Sequence, residues 1–182
     1  MAYKHGVYTS EVPTSVVPAV NTAAGLPVVF GTAPVHLASE RAQTNKPILC
    51  YSYAEAVQQL GYSKDWAKYT LCEVMYSQFA LYNRGPVVFV NVLDPKTHKK
   101  STSSKNVTVT NKVAKVDAPV LLDTLQIKAS TAGSALIAGS DYEAAYDDDG
   151  VLVITLLDDG TATAASNLTL TYDEIDAAAV DA

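Results

Sequence analysis

Any chemistry in this chain has to come from a small set of side chains. Among 182 residues there are three histidines, His5, His36 and His98, and two cysteines, Cys50 and Cys72. A metal centre needs such ligands at spacings that bring three or four of them to one point. No histidine here has a cysteine or a second histidine at ligand spacing, so each reads as a surface or turn residue. The cysteines lie 22 positions apart without a CxxC partner and read as reduced core thiols. A disulfide between them is the alternative, rare in a cytosolic protein. The run Asp147-Asp148-Asp149-Gly150 raises calcium, but a calcium loop spaces its acids at alternate positions and closes with Glu at the twelfth. Consecutive acids point to opposite sides of a strand, which favours a solvated hairpin turn. No phosphate-binding loop, GxGxxG, HExxH or GxSxG motif occurs. The expectation is no catalytic residue, no cofactor and no metal.

The elements that would carry these residues begin with an extended N-terminal arm, residues 1–22. Val7, Tyr8, Val12, Val16 and Val17 favour β structure, while Pro13 and Pro18 exclude a central strand. Leu26 to Gly31 is a short apolar run that reads as a buried strand, and Lys46 to Tyr51 as a weaker one. Ser52 and Glu55 form a capping box, predicting a helix to Leu60 that stops at Gly61. A second helix is expected from Ser63 or Asp65. Trp66, Tyr69, Cys72, Met75, Tyr76 and Phe79 trace one apolar stripe on it, which reads as core rather than as an aromatic ligand platform. Asn83-Arg84-Gly85-Pro86 ends it, with Gly85 available for the left-handed position, and Pro86 to Val92 returns as a buried strand. Strands and helices in that order imply helices layered on a sheet.

Charge divides the chain. Residues 1–105 carry 10 basic and 6 acidic side chains, net +4; residues 106–182 carry 3 and 13, net −10. The total of −6 argues against a nucleic-acid footprint. The polar, basic stretch Lys96 to Asn106 reads as a surface linker. Beyond it apolar residues alternate with period two: Val107 and Val109; Leu125, Ile127 and Ala129; Tyr142, Ala144 and Tyr146; Leu168, Leu170 and Tyr172. Turn signals at Asp147–Gly150 and Asp159-Gly160 separate them, as in a small antiparallel sandwich or barrel. The fold class expected is α+β: the arm, an α/β layer domain over 23–102, and an acidic β-rich domain over 103–182. From Val12 to Ser39 no residue is charged, a length of 28, but Pro13, Pro18, Pro27 and Pro34 break the helix a membrane span requires. Met1 to Ser10 lacks the apolar core of a signal peptide. Neither membrane insertion nor secretion is expected.

Several segments resemble one family. His5-Gly-Val-Tyr-Thr-Ser-Glu-Val-Pro13 and Gly25-Leu-Pro-Val-Val-Phe-Gly-Thr-Ala-Pro34 look like the start of a contractile tail sheath protein. Tyr51-Ser-Tyr-Ala-Glu55, the long helix and Gly85-Pro-Val-Val-Phe-Val-Asn-Val92 follow in the family's order, and the β-rich half, with Asp141-Tyr142 and Tyr172-Asp173, is similar to the domain many sheath proteins carry as an insertion. The family serves myophage tails, R-type bacteriocins and related contractile injection systems. Its members are usually much longer, so the resemblance implies the N-terminal part of such a protein, with the α/β domain incomplete. It also implies a non-enzymatic structural subunit: hexameric rings stacked helically around a tail tube protein, bounded by baseplate and tail terminator proteins. The particle would be assembled in the host bacterial cytoplasm and would end in a virion tail or tail-like particle. Its extended state is metastable, so kinetic stability is the governing quantity. The arm, with Val7, Tyr8 and Val12, would pair as an edge strand with a neighbouring subunit.

Two rival classes are distinguishable. A surface- or carbohydrate-binding β module attached to a small α/β domain would be a monomer with glycan affinity. A small α/β enzyme would need a polar pocket with a perturbed acid or base.

Overall fold

The computed structural model describes residues 25–130 and 133–180; the arm residues Val7, Tyr8 and Val12 lie outside them. The fold is mixed α+β, mostly strands in three small sheets with few helices. In the first half β1 (Val28–Gly31), β2 (Pro47–Cys50), α1 (Tyr53–Leu60), α2 (Thr70–Met75) and β3 (Val87–Asn91) follow one another. β3 is central, parallel to β1 and antiparallel to β2. Both helices cover one face of this sheet. Phe89, Val87 and Cys50 there meet Ala56 and Leu60 of α1 and Leu71, Cys72 and Met75 of α2. Each fully buried side chain of that size contributes about 1.5–3 kcal/mol.

α1 is built as its sequence requires. The Ser52 hydroxyl accepts from the Glu55 N–H at 3.3 Å, and the Glu55 carboxylate accepts from the Tyr51 N–H at 2.9 Å. Gly61 ends it at φ 74°, ψ 172°, where a Cβ would lie 2.3 Å from the Pro34 carbonyl oxygen. Only glycine fits both demands.

The second helix departs from expectation. It begins at Thr70, not near Ser63, and passes into a π-helical turn over Tyr76–Leu81. Trp66 therefore precedes the helix and is exposed, whereas Tyr69, Cys72, Met75 and Phe79 are buried and Tyr76 is half-buried. The late start has a non-local cause. The cap position, Tyr69, offers no side-chain bond. Thr32, 38 residues earlier, supplies it: its hydroxyl accepts from the Thr70 N–H at 3.2 Å and its carbonyl from the Leu71 N–H at 3.1 Å. At the other end Asn83, not Gly85, takes the left-handed conformation.

The second half holds β4 (Lys99–Thr108), β5 (Val113–Val116), β6 (Gln126–Lys128), β7 (Tyr142–Tyr146), β8 (Leu152–Leu156) and β9 (Asn167–Ile175). Two three-stranded antiparallel sheets, β4-β9-β6 and β5-β8-β7, share one core that includes Ile127, Leu168, Leu170 and Tyr172 from one and Leu152, Ile154 and Leu156 from the other. The stretch read as a surface linker is thus a ten-residue strand. Its lysines are matched by the acidic end of the second half: Lys99 to Asp173 at 2.5 Å, Lys100 to Asp176 at 2.7 Å, and Lys105 to the Tyr172 hydroxyl at 3.2 Å. The charge that segregates along the sequence interleaves in space. A boundary between 102 and 103 falls inside β4, and Leu121, Ile175, Ala177 and Val180 pack on the first core.

The buried-strand reading holds for β3, where Val87, Phe89 and Val90 are buried and Val88 is half-buried, but not for the outward-facing residues of β1 and β2. Val28, Phe30, Val88, Val90, Pro47 and Leu49 form the face opposite the helices; among these Val28, Phe30, Pro47 and Leu49 are exposed.

Candidate functional site

A cleft of about 890 Å³ opens where the two halves meet. The loop after β1 forms one wall and the hairpin turn between β7 and β8 forms another. Leu37 approaches Gly150, with 3.5 Å between its side chain and a Cβ built there. Lys64, Asp65 and Lys68 come from the turn before α2, and Asp117, Asp147 to Asp149 and Asp176 from the acidic half.

His36 sits at this joint. The sequence places it in a surface turn; the turn is there, but the second half buries it, leaving 9% of the residue exposed. Its ring lies between Tyr69, at 5.9 Å and 46°, and Tyr146, at 5.4 Å and 70°. Among the described residues nothing hydrogen-bonds its Nδ1. Burial, and then the neighbouring Arg41 guanidinium, push its pKa down to about 4, so the ring is neutral at pH 7. Arg41 is held close by donating Nε–H to the Val35 carbonyl at 3.1 Å. The Tyr146 hydroxyl donates to the Val120 carbonyl at 2.6 Å, and burial raises its pKa.

A general base must reach the proton it removes, and no hydroxyl or thiol among the described residues hydrogen-bonds the His36 Nδ1. His98 is occupied locally, its Nδ1 accepting from the Asp94 N–H at 3.0 Å. Cys50 and Cys72 are free, buried thiols, both pushed up to about 11 by burial. A group that rarely ionises is a poor nucleophile and ligand. Among the described residues no group of three or more His, Cys, Asp and Glu is placed to hold a metal ion. No described helix is long and apolar enough to cross a membrane.

Three positions went unread in the sequence. Asn91 is buried and links the ends of β1 and β3, accepting from the Ala33 and Leu93 N–H groups and donating to the Leu93 carbonyl. Asp141 accepts from the Ile137 N–H and from both the N–H and hydroxyl of Thr161, at 2.7–2.8 Å, which hold its carboxyl below the usual carboxylate range. Thr32 caps α2. A polar residue flanked by an apolar run was the available signal at Asn91 and Thr32; nothing in the local sequence marks Asp141 apart from its neighbours.

What fold and cleft define is a mixed α+β body with two hydrophobic cores, joined through a neutral histidine. The chain is 30% identical over 186 aligned residues, 99% of its length, to the tail sheath protein of Burkholderia phage BcepMu. It spans 35% of that protein's length. No protein-family model matches the chain and no solved structure matches it.

Proposed function

We propose that the chain is the N-terminal part of a structural subunit of a contractile phage tail sheath. It polymerises around a tail tube and contracts to drive the tube through a target envelope. The observation that supports this most is the similarity to a tail sheath protein along 99% of the chain. The role is non-enzymatic; partners are further copies of the subunit, the tube and the proteins that close each end of the tail. The arm would bind a neighbour as an added strand through Val7, Tyr8 and Val12, satisfying edge N–H and C=O groups. Five such bonds give about 5 kcal/mol, against roughly 5–10 kcal/mol to order five residues, so the link holds only when many arms engage together.

Negative-stain electron microscopy of the protein made from its complete reading frame tests the proposal. Helical tubes are the expected result, and monomers at every concentration would refute it. Removing residues 2–13 should leave folded subunits that do not polymerise; normal tubes from that deletion would rule out the arm as the link.

A further inference from the structure

We draw no further inference here: the strongest candidate, the outward face of the first sheet on which Val28, Phe30 and Leu49 are exposed, carries nothing because nothing in the structure shows what covers it.

Discussion

Acid should loosen the joint between the two halves through one side chain. His36 is neutral and buried, with its pKa near 4 rather than 6.5. Above pH 6.5 neither the folded nor the unfolded chain protonates it, and its contribution to stability is whole. Between 6.5 and 4 the unfolded chain takes a proton that the folded chain refuses, so stability falls as pH falls. Below 4 both states hold the proton and the loss is complete. At about 1.4 kcal/mol per pH unit, the interval from 6.5 to about 4 amounts to about 3 kcal/mol. The Arg41 guanidinium is already part of that depression, and Asp65, Asp117, Asp147 to Asp149 and Lys68 line the same cleft.

The control is His36→Phe, which keeps an aromatic ring between Tyr69 and Tyr146 but cannot titrate. Urea unfolding of both proteins at steps from about pH 7.5 to 4 gives the difference in stability at each pH, and carboxylates common to both cancel. At pH 7.5 the variant should equal or exceed the wild type, because an unpartnered buried nitrogen costs about 1–3 kcal/mol. By pH 4 the gap should have widened by about 3 kcal/mol in the variant's favour. A gap constant to about 0.5 kcal/mol across the range, or an NMR titration of the His36 ring near 6.5, would refute the argument.

Three further outcomes are expected. Thr32→Val removes the hydroxyl that caps α2 and should cost about 1–2 kcal/mol in chemical denaturation, with Thr32→Ser restoring most of it. Asp141→Asn leaves three donors facing one carbonyl oxygen, so its melting temperature at pH 7 should fall. Because the Asp141 carboxyl titrates below its usual value of 3.8, its contribution is present above that pH and lost below it. The two proteins should therefore converge on acidification, and a gap independent of pH would contradict the bonding seen. Ile175→Ala lies in β9 yet packs on the first core. It should cost about 2–5 kcal/mol and speed labelling of Cys50 and Cys72 by a thiol reagent; unchanged labelling would mean the cores are independent.

Where a feature is decided by residues close in sequence, it could be read there. The capping box at Ser52 and Glu55, the stop at Gly61, the apolar runs that became β1 and β3, and the alternation in β7 and β9 are all of that kind. What was misread depends on distant partners. The start of α2 is set by Thr32 across 38 residues. β4 looked like a linker because no apolar residue marks it before Val107; its lysines make sense only beside β9, some 70 residues on. His36 looked like a turn residue because what buries it is Tyr146 of the other half. The bare face is the converse case. An all-apolar strand reads as buried on both sides, and local sequence cannot say how far neighbouring elements cover each side. Val28, Phe30 and Leu49 thus carry an expectation of burial that the described residues leave unmet.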